Sequence, residues 1–266
     1  LKGSIYFMTI VTDFHSHVTP SSAAQMVQAA QQKGLRVLGL SEHVFQMEEA
    51  RPTLDHMPLE GPLLPFATYI EDVRGAARQA SFDARLGLEV DFIPTKSELI
   101  QSAIQGYDWD FLIGSVHEID GRFVEPAESQ WSKEEGEALW LRYFELLRGT
   151  VSSGYFSLVS HPVRMRVSNP HLPPAFDEEL ERLAAEAARR DVALEINGYD
   201  VLNYHSLVQR LAKACALHRT PISVGSDAHY PRGVAQAHKQ SEDILREAGI
   251  TTIRTWKHRE PEEYRL

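Results

Sequence analysis

The chain has 266 residues, 43% hydrophobic and 24% charged, and carries a net charge of −10 from 27 basic and 37 acidic side chains. That length and composition suit one large domain or two small ones with a sizeable core, and the acidic balance argues against duplex nucleic acid, whose binding rests on basic residues neutralising phosphates. No run approaches the roughly 18 apolar residues of a membrane helix, and the single cysteine, Cys215, excludes an intrachain disulfide framework and a thiolate-rich zinc site.

These limits point to a cytoplasmic protein. Leu1–Phe7 reads as a tail ahead of a natural start at Met8, and residues 8–266 read as a single domain. The first element is Thr9–His17, TIVTDFHSH. It is an apolar β run that ends in Asp13, His15 and His17, and strand alternation puts both imidazoles on one side. Ser21 and Ser22 cap a helix running to about Lys33, closed by Gly34. Leu35–Leu40 is a buried strand leading to Ser41-Glu42-His43. Val44–Leu64, with Pro52, Pro58 and Pro62, has no clear period and reads as a lid-like excursion, near 44–65.

Helical spacing then covers Phe66–Ala80, and Ala84–Phe92 is a third strand with Glu89 and Asp91 on one face. A short helix, Lys96–Ile104, precedes the fourth strand, Asp110–His117. A second lid-like excursion, 118–131, leads to Ser132, which opens a capping box with Glu135 and a helix to about Val151. Phe156–His161 is the fifth strand. Asp177 starts another helix, with Leu180, Leu183, Ala184 and Ala187 facing inward. Val192–Asn197 is the sixth strand, His205–Leu217 a helix, Pro221–Asp227 the seventh strand and Val234–Ala248 the last helix, before a mixed-charge tail, Thr251–Leu266.

Strands without polar alternation, joined by helices, imply a parallel sheet covered on both faces. There is no Gly-rich phosphate loop, and His, Glu or Asp follows nearly every strand: SEH at Ser41–His43, LEVD at Leu88–Asp91, SVHE at Ser115–Glu118, SHP at Ser160–Pro162, LEIN at Leu194–Asn197 and SDAH at Ser226–His229. A closed barrel collects such tips at one mouth, whereas an open sheet concentrates ligands at a switch point. The expected fold is therefore an α/β barrel of about seven strands with one polynuclear metal site. Imidazole and carboxylate ligands without thiolates suit zinc, iron or manganese. Paired divalent ions generate hydroxide and stabilise in-line displacement at phosphorus, and bound cations let an acidic protein take a small phosphate ester.

In this order the DFHSH, SEH, GLEVDF, GSVHE, SHP, EIN and GSDAH elements resemble the polymerase-and-histidinol-phosphatase (PHP) superfamily, and the GLEVDF, EIN and closing REPEEY wording is most similar to its histidinol-phosphate phosphatases. The resemblance implies a distorted (β/α)7 barrel, two or three divalent metals, and hydrolysis of L-histidinol phosphate to L-histidinol and phosphate in histidine biosynthesis, by metal-bridged hydroxide attack on phosphorus. Carried over by motif, His15, His17, Glu89 and Asp227 hold one metal. Glu89 bridges to a second, held by His117 and His161, and His43 and His229 belong to a third. The stretch Val18–Ala24 lacks the histidine that these proteins have there, leaving the third metal to be weak, absent, or completed by water or a lid residue such as His56. After SHP, where an acid is usual, stand Val163, Arg164 and Arg166. One of the two arginines, with Arg164 preferred, is the expected phosphate anchor, since a guanidinium fork matches phosphate oxygens.

Asp227, His229 or a third metal is the expected source of the leaving-group proton or its substitute. Glu42 and Glu195 either orient a ligand, pair with the substrate's amino or imidazole group, or serve ordinary hydrogen bonding at the barrel mouth. Asp13 supports a ligand histidine or is a plain strand-end acid, and so is Asp91; Asn197 suits holding a loop. Two other enzyme readings compete: a PHP phosphoesterase for nucleotides, oligonucleotides or phosphotyrosine, and an amidohydrolase-type C–N hydrolase, against which the absence of a bridging-lysine motif counts. A non-catalytic PHP-like module is the reading outside enzymes.

Overall fold

The computed structural model describes residues 10–125 and 131–266. The expected tail Leu1–Phe7, with Met8, and the 126–130 part of the second excursion lie outside the described residues.

Four parallel strands, β1 (Thr12–Asp13), β2 (Val37–His43), β3 (Asp83–Asp91) and β4 (Phe111–Ser115), are followed by a hairpin of β5 (Glu118–Ile119) and β6 (Arg122–Phe123), and then by β7 (Leu158–Val159), β8 (Ala193–Asn197) and β9 (Ile222–Gly225). Seven of them form one sheet in the order β1-β2-β3-β4-β7-β8-β9, each neighbour parallel. The two edges meet. Phe14 N donates to Val224 O at 3.0 Å, Asp227 N to His15 O at 2.7 Å and His17 N to Ala228 O at 2.8 Å. Asp13 fastens the seam with its carboxylate, which accepts from Ser226 N and Ala235 N, each at 2.8 Å. The expected seven-stranded barrel is thus the observed fold.

Helices α1 (Ala23–Gln32), α2 (Phe66–Ala80), α3 (Ser97–Ile104), α4 (Lys133–Ser152), α5 (Phe176–Arg190), α6 (Gly198–Asn203), α7 (His205–His218) and α8 (His238–Glu247) cover the barrel. Their ends follow the local chemistry. Ser22 accepts from Gln25 N at the start of α1, and Ser132 with Glu135 forms the expected capping box on α4. Three acids in the first turn of α5 and two arginines in its last complement the helix dipole. Among the described residues no helix is long and apolar enough to cross a membrane.

Inside the barrel the lower layer is aromatic. Phe14 and Phe111 rings lie 4.8 Å apart, and Trp256 lies 6.0 Å from Phe14. Gly39 and Gly87 make room, for a Cβ at Gly87 would come 2.3 Å from Phe111 Cζ and one at Gly39 2.7 Å. Trp256 belongs to the segment expected as a mixed-charge tail. That segment is instead an antiparallel hairpin of β10 (Thr252–Lys257) and β11 (Glu260–Arg265), turning at His258 and Arg259 with φ of 51° and 69°. Buried Arg85 on β3 donates to Trp256 O at 2.8 Å, so the hairpin stoppers the mouth opposite the strand tips.

The first excursion is packed as well. Val44–Gln46 forms a 3-10 turn, Met47 bridges Leu64, and Phe45, Met47, Ala50 and Leu54 are buried. Cys215 is a core residue of α7, its thiol pushed up to about 12 by burial.

Candidate metal centre

In a parallel barrel all strands emerge at the same mouth, where the loops carry chemistry. The eight expected metal ligands, His15, His17, His43, Glu89, His117, His161, Asp227 and His229, meet at that rim. Three sets of ligand atoms gather within 4.8 Å: His15, His17 and Glu89; His43, Glu89 and His117; His17, His43 and His229. Glu89, completely buried on β3, stands between them. Its Oε1 lies 3.2 Å from His161 Nε2 and 3.5 Å from His117 Nε2. Its Oε2 lies 3.3 Å from His15 Nε2, 3.7 Å from His17 Nε2 and 2.7 Å from His43 Nδ1. Asp227 Oδ1 sits 3.3 Å from His17 Nε2 and 3.6 Å from His15 Nε2.

The backbone is bent to bring these groups in. His161 and Asp227 hold φ of 28° and 58°, values that L-residues adopt rarely and that concentrate at functional sites. Gly225 leaves space for its neighbours, since a Cβ there would fall 2.3 Å from both Glu195 Oε1 and His15 Cβ.

Behind these groups lies a set of acids that orient the rings. His15 Nδ1 meets Glu195 Oε1 at 2.8 Å, and His117 Nδ1 meets Asp91 Oδ1 at 2.7 Å. Each contact fixes the ring tautomer that turns Nε2 toward Glu89. Glu195 also accepts from His161 N at 2.8 Å and Asn197 Nδ2 at 3.1 Å. Glu42 accepts from Val18, Thr19 and His43 backbone amides and lies 3.6 Å from His17 Nδ1. Both acids are completely buried behind the histidines and off the cavity wall. Asn197 caps α6, accepting from Tyr199 N and Asp200 N.

The donor set fits cations. His15 Nε2, His43 Nδ1 and Glu89 Oε2 crowd together in the buried interior with no aligned hydrogen bond between them. Buried acids here also outnumber permanent cations: Glu42, Glu89, Asp91 and Glu195 are sealed from solvent beside one guanidinium, that of Arg164. Without a metal, protons on the rings balance them. Burial opposes charging His17, but its contacts with Asp227 and Glu42 prevail and raise it to about 10. His117 rises to about 9 against burial through Asp91 and Glu89. Burial pushes the carboxylates up, yet His17 draws Glu42 down to about 2, and the surrounding histidines hold Glu89 well below the usual range. His229 falls to about 3, from burial and the neighbouring His17.

A cavity of about 260 Å³ opens above these groups, walled by His43, Phe45, Met57, His117, Arg164 and Asp227, with the carboxylates Glu60 and Glu125. Arg164 reaches it from the 3-10 turn after SHP. Its Nε donates to Asp200 at 2.8 Å, Nη1 to Glu125 at 2.8 Å, and Nη2 to Asn197 at 2.9 Å and Asp227 at 2.8 Å. Arg166 is not brought to the wall; its guanidinium lies over Tyr204, 5.7 Å from the ring centre. His56 turns away from the His17, His43 and His229 set and meets Asp91 at 3.3 Å. Sequence reasoning missed Glu60, Glu125 and Asp200. The first two lie in aperiodic excursions where nothing marks a facing direction, and Asp200 lies on α6, a helix that the pattern did not disclose. A larger hollow, about 360 Å³, lies at the opposite mouth among Tyr107, Trp109, Tyr155 and Arg259.

The sequence matches the PHP domain over residues 12–198. A probable histidinol-phosphatase of Deinococcus radiodurans is 27% identical over 268 residues, covering 95% of this chain and 98% of the relative. A probable phosphatase of Vibrio cholerae is 25% identical over 262 residues, covering 94% and 90%. The crystal structure of histidinol phosphate phosphatase from Lactococcus lactis, complexed with zinc, L-histidinol and phosphate, superposes with a TM-score of 0.79 at 20% identity, covering 95% of this chain and 99% of that one. At that identity the likeness is one of fold.

Proposed function

The chain belongs to the PHP domain family, and from that premise we propose that it is a metal-dependent phosphomonoesterase that hydrolyses L-histidinol phosphate to L-histidinol and phosphate. The observation that carries this reading is Glu89, whose two oxygens face two different groups of histidines. His15, His17, Glu89 and Asp227 would hold one divalent cation, and Glu89, His117 and His161 a second; zinc, iron and manganese all suit such donors. Cations held there lower the pKa of water and neutralise charge on a phosphoryl group.

The remaining residues have separate tasks. Glu195 and Asp91 aim His15 and His117, and Glu42 steadies His17. Among the described residues Arg164 spends four of its five N–H groups on Asp200, Glu125, Asn197 and Asp227, leaving one on Nη1 for a phosphate oxygen. Its fixed position costs no reorganisation as charge develops on phosphorus. Asp227 stays ionised beside His15 and Arg164, despite burial, so it acts as a ligand and not as a proton donor. The cavity suits a small ester, and Glu125 on its wall complements a cationic amine.

Steady-state phosphate release from L-histidinol phosphate, a nucleoside bisphosphate and phosphotyrosine tests the reading. The expected result is a kcat/KM for histidinol phosphate at least about a hundredfold above the others, roughly 2.7 kcal/mol of discrimination. A nucleotide preferred by orders of magnitude would overturn it.

A further inference from the structure

Met57 and Glu60 reach the cavity from the middle of the first excursion, and the Glu60 carboxylate faces ring nitrogens. Its Oε1 lies 3.8 Å from His43 Nε2 and its Oε2 3.5 Å from His229 Nε2, while those two nitrogens lie 3.4 Å apart. Tetrahedral ligands at about 2.0–2.1 Å from zinc stand roughly 3.4 Å from one another. The three side chains form a triangle in which the two ring nitrogens stand nearly one polyhedron edge apart and Glu60 turns a different carboxylate oxygen toward each.

Each corner is held from behind. His229 Nδ1 lies 3.2 Å from the Asp227 carbonyl, which can only accept, so Nδ1 carries the proton and Nε2 offers its lone pair. His43 is stacked on Phe45 with ring centres 4.5 Å apart. The Glu60 N–H donates to Oε1 of buried Gln46 at 3.0 Å, in the turn directly after His43. Gly61 presses so close to the loop after His17 that a Cβ there would meet Thr19 Cγ2 at 2.9 Å.

The geometry points to Glu60 as the lid carboxylate that joins His43 and His229 at the third cation position the family likeness implies, supplying the ligand that Val18–Ala24 lacks. The inference rests on the metal-centre reading above. Three protein ligands leave a position open toward the cavity, as in catalytic and not structural sites. Because Glu60 is carried by the excursion, a cation there also ties the lid down over the mouth.

The test uses the full chain, stripped of metal, reloaded with zinc and desalted. Elemental analysis is expected to give three zinc equivalents per chain for the wild type, two for Glu60→Gln, and three for Glu125→Gln, which alters a cavity carboxylate outside the triangle. Hydrogen exchange of residues 44–65 is expected to slow on zinc addition in the wild type and to change little in Glu60→Gln. A Glu60→Gln protein that keeps the third equivalent at wild-type affinity overturns the inference, as does a wild type that stops at two. A wild type that retains no zinc overturns the metal-centre reading itself.

Discussion

Replacing Glu89 by Gln is the sharpest single perturbation of the centre. The side chain keeps its size, so the buried site on β3 still packs. Its chemistry changes at five histidines. Now one oxygen and one amide NH2 stand where two carboxylate oxygens faced His117 and His161 on one side and His15, His17 and His43 on the other. An amide turned either way points donor hydrogens at one of the two cation positions and removes the negative charge shared by both. Loss of one position removes several kcal/mol of transition-state stabilisation. Taking about 4 kcal/mol, kcat/KM falls roughly a thousandfold. The assay pairs phosphate release with elemental analysis, and circular dichroism checks folding. Near-wild-type turnover at unchanged metal content would refute the bridging role.

Asp91→Asn leaves the ligands in place but weakens the anchor of His117 Nδ1; cation affinity at that position should fall about 10–100-fold, measured by competition with a chelator, and an unchanged affinity would contradict the orienting role. Cation loading should release protons at pH 7, since His17 and His117 titrate near 10 and 9 in the metal-free protein. Each displaced proton strengthens apparent binding about tenfold per pH unit from pH 6 to 8. Calorimetry in two buffers of different ionisation heat measures this, and binding independent of pH would contradict it. Trp256→Ala empties the stopper between β1 and the C-terminal hairpin and should cost about 3–5 kcal/mol in denaturant unfolding; a loss below about 1 kcal/mol would mean that the hairpin is not part of the core.

Much of the barrel was legible because buried strands are apolar until they surface, and the residue that follows is where chemistry begins. That His15, Glu89, His117 and His161 meet at one rim could be anticipated in that way. Direction within the site was less legible. Spacing puts Glu42 and Glu195 beside the ligands, but only the fold turns Glu42 onto the Val18 and Thr19 amides and Glu195 onto His15. The C-terminal hairpin was missed because His258-Arg259 is not the Asn-Gly or Asp-Gly pair that marks tight hairpins, although both adopt positive φ. Glu60 was missed because an aperiodic, Pro-rich stretch gives no signal of which side chain faces inward. The lid histidine that sequence reasoning put forward, His56, pairs with Asp91 instead.

The most direct measurement is an anomalous-scattering map from crystals of the metal-loaded protein, collected at the zinc, iron and manganese edges. The account predicts separate peaks on either side of the Glu89 carboxylate, one toward His15 and His17 and one toward His117 and His161. A single peak remote from Glu89, or none at the barrel mouth of a protein that still releases phosphate, would contradict it.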